Sequence, residues 1–296
     1  MKILLFGANG QVGWELQRSL SALGTLTALG HAQADLEQPL RPLIERLRPQ
    51  IIVNAAAYTN VDRAEAEPAR ALRINAEAVG EMAQAASTTG ALLVHYSTDY
   101  VFDGEKPAPY CEDDPTGPLN AYGRSKLAGE QAIRAVADCQ HLILRTSWVY
   151  GVRGQNFART ILERAKTLDR LQVIADTFGA PTSAELLADV TALALYRTVV
   201  GGTGIAPLHG TFHLVPSGYT SWHEYACLLI ETARARGLPI RVSAQNVQAV
   251  PASTFRMAAH RPLNSRLDNR RLQEGLGIEL PDWQVHVRRF VEEIAG

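Results

Sequence analysis

Three glycines near the N-terminus constrain the fold of this chain more than any other feature. Gly7, Gly10 and Gly13 follow an apolar run that ends at Phe6, and an amphipathic stretch begins at Gln11. Between a buried strand and a helix, the first glycine makes a tight turn, the second leaves the backbone open to a pyrophosphate, and the third lets the helix pack on the sheet. Because the first N–H groups of the helix lack intrahelical acceptors, the turn predicts a dinucleotide site.

Apolar runs and amphipathic stretches alternate along the first half of the chain. The runs are apolar throughout, as in strands buried on both faces, and cover residues 3–6, 26–29, 51–53, 92–95 and 142–144. Helical patterns lie between them, at residues 11–23, 40–47, 68–86 and 122–136. This alternation implies right-handed crossovers between parallel strands, so we predict an α/β fold with a Rossmann-type doubly wound sheet.

The second half is less regular. Residues 171–174 and 212–215 are predicted strands, residues 184–199, 221–236 and 282–294 are predicted helices, and the glycines at 201, 202 and 204 predict a loop. We predict a dinucleotide-binding domain over residues 1–150 and a smaller α/β substrate-binding lobe over residues 151–296. The helix at 184–199 is a candidate to return to the first domain.

Composition excludes several classes of protein. A formal net charge of −1 gives no general attraction for nucleic acid or an anionic membrane. The N-terminal apolar run is too short for a signal peptide, and no run is long enough to span a bilayer. Cys111, Cys139 and Cys227 have no CxxC spacing, which argues against a disulfide framework or a zinc site and fits a reducing cytoplasm. We expect a cytoplasmic protein with no nucleic-acid or membrane partner.

A candidate catalytic set follows the fourth predicted strand. Thr98 lies at the end of that strand, where ligands bind in open α/β sheets, and Tyr122 and Lys126 share one face of the next helix. Hydride delivery to a ketone builds negative charge on its oxygen, so the site needs a proton donor. We predict Tyr122 as general acid, Lys126 as the cation that lowers the phenol pKa and holds the cofactor ribose, and Thr98 as a polariser of the carbonyl.

The end of the second predicted strand bears on cofactor choice. NAD-specific proteins of this architecture place an acid there, about 20 residues after the glycine turn, to bond the ribose 2′-hydroxyl. This chain has Gly30-His31 instead, and His31 can bond either a hydroxyl or a 2′-phosphate. We therefore expect NADPH to be accepted as well as NADH. Asp35 either reaches the adenine or caps a helix, and the small residues 54–57 let a cofactor lie against the sheet edge.

Seven blocks carry a family resemblance. They are GANGQVG, NAAAYTNVDRAEAEP, HYSTDYVFDG, PLNAYGRSKLAGE, RTSWVYG, FGAPTSAELLAD and HRPLNSRLD, in that order. Together they closely resemble the dTDP-4-dehydrorhamnose reductase family of the extended short-chain dehydrogenases, from residue 1 to about residue 283. The GxxGxxG turn is shared by the whole superfamily, whereas TDYVFDG and RPxNSxLD are more specific. The resemblance implies reduction of the C4 keto group of dTDP-4-dehydro-L-rhamnose to dTDP-L-rhamnose.

The resemblance also implies roles for particular residues. On the cofactor side these are Gly10, Gln11 and Val12 at the pyrophosphate, Asp35 and Leu36 near adenine, Ala57, Tyr58 and Thr59 in the groove, and Tyr96 beside the nicotinamide. On the substrate side, Thr98 and Asp99 would touch the sugar, Trp148 would close over it, and Arg261, Asn264 and Ser265 would hold the nucleotide diphosphate. A core aromatic is the competing interpretation of Trp148. The family has an acid where this chain has Gly30, which puts strict NADH use in doubt.

A metal site is a further implication of the resemblance. The family suggests a divalent ion, Mg²⁺, held by glutamates at a homodimer contact, and Glu15, Glu185 and Glu293 stand at the matching positions. From the residues alone these are three exposed helix glutamates, and we favour that interpretation.

Three alternatives to the reductase remain open from the sequence. An epimerase or dehydratase acting on a nucleotide sugar would share the fold, and a reductase that forms the talose epimer would share the chemistry. A related regulatory subunit of methionine adenosyltransferase keeps the fold without catalysis. The intact set of Thr98, Tyr122 and Lys126 favours an enzyme, and the STDYVFDG block favours the reductase.

Overall fold

The structure is a computed structural model that describes residues 1–201 and 207–296, so Gly202 and Gly204 of the predicted loop lie outside the described residues. Its strands are β1 (Lys2–Phe6), β2 (Thr25–Leu29), β3 (Ile51–Asn54), β4 (Leu92–Thr98), β5 (His141–Thr146), β6 (Val149–Tyr150), β7 (Leu171–Ile174), β8 (Phe178–Gly179), β9 (Thr182–Ser183), β10 (Gly210–His213), β11 (Thr220–Ser221), β12 (Val247–Val250) and β13 (Asn264–Ser265). Its helices are α1 (Gln11–Ser21), α2 (Arg41–Leu47), α3 (Val61–Ala66), α4 (Pro68–Leu72), α5 (Ala78–Thr89), α6 (Ala121–Arg134), α7 (Phe157–Thr167), α8 (Ala184–Val200), α9 (Trp222–Ala235), α10 (Arg270–Leu276) and α11 (Trp283–Ala295).

Six parallel strands form the central sheet, in the order β2-β1-β3-β4-β5-β10. Every residue of β3 and β4 is buried, which explains why the apolar residues 51–53 and 92–94 do not alternate with polar ones. The chain reverses direction across the sheet between β1 and β3, and ligands of such folds bind outside the carboxyl ends of the strands at that point. The prediction of a doubly wound parallel sheet is confirmed.

Helices cover both faces of this sheet. On one face, Leu16 and Leu20 of α1 and Leu187 and Leu195 of α8 belong to one buried cluster with β1, β3, β4 and β5. On the other face, α2 and α5 pack on the sheet around Ile44 and Met82. Both α8 and β10 come from beyond residue 150 and pack with the N-terminal region, while the division into domains near that residue stays a prediction.

A second hydrophobic cluster lies in the C-terminal part. Tyr225 and Leu229 of α9 are fully buried against α7, α11 and the parallel pair β7–β12. Two short sheets, β11-β8-β13 and β6-β9, join this part to the end of the central sheet. Among the described residues, no helix is both long enough and apolar enough to cross a membrane.

Two predicted elements differ from the structure. Residues 68–86 were expected to form one helix, but a π-helical segment, Arg73–Glu77, separates α4 from α5. The wider turn brings the buried Asn75 side chain to the backbone of Tyr58, whose N–H it accepts at 2.9 Å and whose carbonyl it bonds at 3.0 Å. The strand expected at residues 212–215 begins two residues earlier, as β10.

Candidate active site

The glycine turn has the geometry that a pyrophosphate requires. Gly7 has φ +84°, and a Cβ there would lie 2.6 Å from the Ala56 backbone nitrogen. A Cβ on Gly13 would lie 2.0 Å from the Gly7 carbonyl oxygen, so only glycine lets α1 start this close to β1. Gly10 precedes α1 with no side-chain cap, and α1 has no acidic residue in its first turn. The backbone N–H groups of Gln11 and Val12 thus stand at an uncapped helix N-terminus suited to an anion.

The segment after β2 lies beside the glycine turn, whose Gly7 N–H donates to the Leu29 carbonyl at the end of β2. His31 is exposed, and its Nδ1 is 3.7 Å from Asp35 Oδ1. Asp35 Oδ1 accepts the Glu37 backbone N–H at 3.0 Å, so Asp35 serves as a local cap. The Leu36 side chain is buried in the core under α2, which leaves the backbone of Leu36 as the part able to approach a cofactor.

The groove after β3 is held rigidly. Ala57 and Tyr58 are partly buried and Thr59 is exposed. Asn75 fixes the Tyr58 backbone through the two hydrogen bonds given above, and the Tyr58 hydroxyl donates to Glu67 Oε2 at 2.9 Å. These three residues therefore form a preset floor beside the glycine turn.

Thr98 and Tyr122 meet at the carboxyl end of β4. The side-chain oxygen of Asn120 accepts the Gly123 N–H and so starts α6 just before Tyr122. Burial and the Asp99 carboxylate raise the pKa of Tyr122 to about 12, and the Thr98 hydroxyl partly offsets them. Lys126 was expected to lower this pKa, but its Nζ is directed elsewhere. Tyr122 is therefore a protonated phenol at neutral pH.

Lys126 is buried with its Nζ 2.6 Å from the Tyr96 carbonyl oxygen and 3.2 Å from His95 Nε2. Burial lowers the pKa of Lys126 to about 8, opposed by Glu130 one turn further along α6. The backbone of Tyr96 thus lies at the site, whereas its ring is packed in the core, where its hydroxyl is 2.6 Å from Thr191 Oγ1 of α8.

Asp99 is a buried carboxyl beside the catalytic set. Its Oδ1 accepts the Thr98 hydroxyl at 3.0 Å. Burial raises the pKa of Asp99 to about 7, and the nearby Ser265 and Thr98 hydroxyls partly offset that rise. Asp99 therefore changes charge within the physiological pH range. It lies next to the Thr98 hydroxyl, the group predicted to polarise the substrate carbonyl.

A cleft of about 1210 Å³ opens next to these residues. Its walls include Tyr100 after β4, Trp148 after β5, Trp222 at the start of α9, Arg261 and Ser265. The ring of Trp148 stacks on that of Trp222, with centroids 3.6 Å apart and planes at 14°. Trp148 has φ +47°, a conformation that costs a non-glycine residue about 1–3 kcal/mol and that surrounding contacts must hold in place. Trp148 is thus a partly buried wall of the cleft.

Of the three residues predicted from the RPxNSxLD block, two line this cleft and one does not. Arg261 lines it and donates through Nη2 to Asp62 Oδ2 at 2.7 Å, and the buried Ser265 also lines it. Asn264 does not line the cleft, because its Nδ2 donates to the Lys106 and Ala108 carbonyls and its Oδ1 accepts from Arg266. Asn264 instead ties two loops together.

The three glutamates considered for Mg²⁺ line one small cavity between α1, α8 and α11. Glu293 is exposed, but the side chains of Glu15 and Glu185 are only 22% exposed. Glu185 Oε2 is already 3.2 Å from Arg289 Nε. Over residues 1–201 and 207–296, no group of three or more acidic, His or Cys side chains is arranged to hold a metal ion. The residues of the single chain therefore do not fit the ion.

Sequence reasoning missed several residues of the site. His95 contacts Lys126, Asn54 contacts His95, and Trp222 and Arg164 line the cleft. A polar residue inside the otherwise apolar β4 was a signal for His95. Trp222 and Arg164 gave none, because their positions depend on how the C-terminal part packs.

Fold and site together define an oxidoreductase of the short-chain dehydrogenase type, with the tyrosine and lysine of one helix beside a dinucleotide turn. Comparisons with known proteins narrow this class. A family model described as the RmlD substrate binding domain matches residues 1–295. The dTDP-4-dehydrorhamnose reductase of Escherichia coli K12 is 49% identical over 300 residues, which cover 99% of this chain and 98% of that protein.

Solved structures agree with the sequence matches. A dTDP-4-dehydrorhamnose reductase from Clostridium acetobutylicum has a TM-score of 0.89 at 32% identity, with 100% of both chains covered. The Bacillus anthracis enzyme of the same name, in complex with NADP, has a TM-score of 0.88 at 35% identity, covering 99% of this chain and 100% of that one. The chain belongs to the dTDP-4-dehydrorhamnose reductase family, and this membership does not favour the epimerase, dehydratase or regulatory-subunit interpretations.

Proposed function

We propose that this protein reduces the C4 keto group of dTDP-4-dehydro-β-L-rhamnose to give dTDP-L-rhamnose, the last step of dTDP-rhamnose biosynthesis. The observation that carries the proposal is that Thr98 and Tyr122 lie together at the carboxyl end of β4, with Lys126 one turn further along α6. An uncapped glycine turn starts α1 on the same sheet, and a cleft of about 1210 Å³ opens at the adjacent Tyr100. A cleft of this volume is large enough for a nucleotide-linked sugar. Family membership supports the substrate class.

The reductant in this proposal is NADPH or NADH, which supplies a hydride to the sugar carbon when bound. The relative from Bacillus anthracis was crystallised with NADP, and this chain has no acid at position 30 to repel a 2′-phosphate. Gly7, Gly10, Gln11, Val12 and Gly13 would hold the pyrophosphate. His31 and the segment from Asp35 would lie at the adenosine end.

The proton comes from Tyr122 in this mechanism. Because burial and Asp99 keep its pKa near 12, the phenol is fully protonated when the ketone binds. An alkoxide is a stronger base than a phenolate, so the proton passes from the Tyr122 oxygen to the sugar C4 oxygen as negative charge develops there. The Thr98 hydroxyl, which in the free protein donates to Asp99, would turn to the same oxygen and stabilise that charge.

The rest of the cleft would orient the substrate. Trp148 and Trp222 present a flat apolar surface suited to a sugar or base, and the Arg261 guanidinium suits a diphosphate. Asp99 and Ser265 would bond sugar hydroxyls. The three cysteines are unpaired, which supports a reducing cytoplasmic location.

We also propose that two copies associate through α8. Leu193 and Tyr196 are large apolar residues on this helix that are half-exposed, and Trp14 of the adjacent α1 is 42% exposed. Light scattering after size exclusion tests this proposal. A dimer that Leu193→Glu converts to a monomer is expected, and a monomer at all concentrations would contradict it.

The test of function uses the purified protein with dTDP-4-dehydro-L-rhamnose generated in place and NADPH or NADH in parallel. Loss of reduced-cofactor absorbance with formation of dTDP-L-rhamnose is the expected result. Formation of the talose epimer would retain the reaction and correct the stereochemistry. Binding of NADPH without any oxidation in the presence of the sugar would overturn the proposal.

A further inference from the structure

A buried imidazole lies behind Lys126 and has no part in the chemistry above. His95 is fully buried on β4. Its Nδ1 is 3.1 Å from Asn54 Nδ2 on the adjacent β3, and its Nε2 is 3.2 Å from Lys126 Nζ. Asn54, His95 and Lys126 thus form a chain of polar groups that leads from the sheet interior to the site.

The hydrogen bonds of Asn54 determine which nitrogen of His95 carries the proton. Asn54 Oδ1 accepts the Ala56 backbone N–H at 3.1 Å, so the amide NH₂ group, which can only donate, faces His95. His95 Nδ1 must therefore accept. In a neutral imidazole whose Nδ1 accepts, the hydrogen is on Nε2, the nitrogen that faces Lys126.

This tautomer conflicts with a charged Lys126. An ammonium has only donors, so one of its N–H groups would face the Nε2–H donor of His95. Neither group would then have an acceptor, and in a buried site an unmade hydrogen bond is costly. A neutral amine has a lone pair that can accept from Nε2–H, and it can still donate to the Tyr96 carbonyl at 2.6 Å. Hydrogen-bond geometry thus favours the amine.

We propose that His95 is a positioning residue for Lys126: its Nε2–H holds the free protein's Lys126 as a neutral amine until the ribose hydroxyls of a nicotinamide nucleotide offer acceptors to the ammonium. On nucleotide binding, the amine takes one proton from solvent, and the lone pair that accepted from His95 becomes an N–H bond. That bond turns away from His95 Nε2–H and donates to a ribose hydroxyl oxygen. The statement about the free protein stands on geometry alone, whereas the step on nucleotide binding rests on the proposed function.

The charges around Lys126 are compatible with this arrangement. The titratable groups that act on it are His95 from β4 and Glu130 from α6, while Asn54 of β3 is uncharged. Glu130 is neutralised by Arg145 and Arg134, whose Nη2 atoms lie 2.7 and 2.8 Å from its Oε2. Burial lowers the pKa of Lys126 to about 8, so the amine that the geometry favours is the major form above that pH. Burial with the charge of Lys126 lowers the pKa of His95 well below its ordinary value.

The first test is the tautomer of His95 in the free protein, read from ¹⁵N NMR of histidine-labelled protein. The His95 signals are assigned by their loss in His95→Gln. His213 is the internal reference, because its Nδ1 faces the Asp268 carbonyl at 3.1 Å and must carry the hydrogen. We expect opposite tautomers for the two residues. In spectra recorded above about pH 8, where the Lys126 amine is the major form, a Nδ1–H tautomer or an imidazolium at His95 would overturn the proposal.

The second test uses Asn54→Asp to reverse the direction of the hydrogen bonds that join residue 54, His95 and Lys126. A carboxylate still accepts from Ala56 but also accepts from His95, so His95 should switch to the Nδ1–H tautomer and its Nε2 should accept from a Lys126 ammonium. The ¹³Cε titration of Lys126 should move up by at least about one pH unit. Asn75→Asp is the matched control, since Asn75 is equally buried near α6 and has no hydrogen bond to His95. An unchanged His95 tautomer in Asn54→Asp would contradict the proposal.

The third test follows the proton on nucleotide binding. Calorimetry of NADPH binding in buffers of different ionisation enthalpy, above about pH 8, should show proton uptake in the unmodified protein and much less in Asn54→Asp. Equal uptake in both proteins would overturn the binding step. Because the free-protein NMR needs neither substrate nor turnover, its failure is distinguishable from a failure of the proposed function.

Discussion

The two walls of the site are built in different ways. The wall assigned to the cofactor comes from the glycine turn, the ends of β3 and β4 and helix α6, and its polar side chains are buried and paired, as Asn75 and Lys126 are. The wall assigned to the substrate comes from segments 148–177, 222 and 252–265, and includes half-exposed residues such as Phe255 and Leu263. Regular structure thus fixes the groups proposed to react, and loops shape the cleft proposed to hold the substrate.

The largest expected effect is on the cofactor wall. Tyr122→Phe keeps the ring that packs on Tyr100 but removes the proton donor. We expect kcat to fall about 10²–10⁴-fold with little change in the dissociation constant for NADPH, measured by fluorescence titration. Tyr219→Phe, at an exposed tyrosine that does not line the cleft, is the control. Near-normal turnover by Tyr122→Phe would refute its role as the acid.

Asp99, at the junction of the two walls, gives a prediction about pH. Its pKa is about 7 in the folded protein against an ordinary value of 3.8, so the folded state disfavours the ionised carboxylate. Stability from this group is therefore complete below about pH 4 and is lost as pH rises towards 7. Asp99→Asn should raise the free energy of unfolding at pH 8 by up to about 4 kcal/mol and leave it unchanged near pH 3.5. Denaturant melts at both pH values test this, and an equal change at both would contradict it.

A smaller effect is expected from the substrate wall. Trp222→Leu removes the ring that stacks on Trp148 at 3.6 Å. We expect KM for the dTDP-sugar to rise about tenfold, by loss of about 1.4 kcal/mol, with kcat reduced far less. Tyr219→Leu, at an exposed aromatic residue outside the cleft, is the control for replacing a large ring with leucine. A fall in kcat without a change in KM would show that this wall takes part in the chemical step. It would contradict the division into a wall that reacts and a wall that binds the substrate.

The smallest effect concerns cofactor choice. Gly30→Asp restores an acid at the end of β2, and its Cβ would approach only the exposed Asn9 side chain, at 2.6 Å from Nδ2. We expect the ratio of kcat/KM for NADPH to that for NADH to fall several-fold, because a carboxylate repels the 2′-phosphate. Thr25→Asp adds the same charge at the other end of β2 and should leave the ratio unchanged. No shift in Gly30→Asp would exclude this position as the determinant.

The same contrast explains how far the sequence predicts the structure. The glycine turn, the buried strands and α6 follow from local periodicity and spacing, and each strand of the N-terminal half lies within two residues of its predicted bounds or extends beyond them. Tyr122, Lys126 and Thr98 could be named because regular structure brings strand ends and helix starts to one edge. Roles for these residues stay predictions until variants are measured.

The remaining features depend on packing that no local pattern encodes. The π-helical segment forms because Asn75 bonds Tyr58, 17 residues away, and the direction of Lys126 depends on His95 from another strand. The partners of Asn264 and the stack of Trp148 on Trp222 come from segments far apart in the chain. The expectation that Lys126 lowers the Tyr122 pKa failed for this reason, since side-chain direction is set by contacts across the fold.

The most direct test of the account follows the hydride itself. Reduced cofactor carrying deuterium at C4 of the nicotinamide, on the transferred face, is incubated with the protein and dTDP-4-dehydro-L-rhamnose, and the product is examined by mass spectrometry and NMR. The account predicts dTDP-L-rhamnose with deuterium at sugar C4 and an equal amount of oxidised cofactor. A product without deuterium, or sugar conversion without net cofactor oxidation, would contradict it.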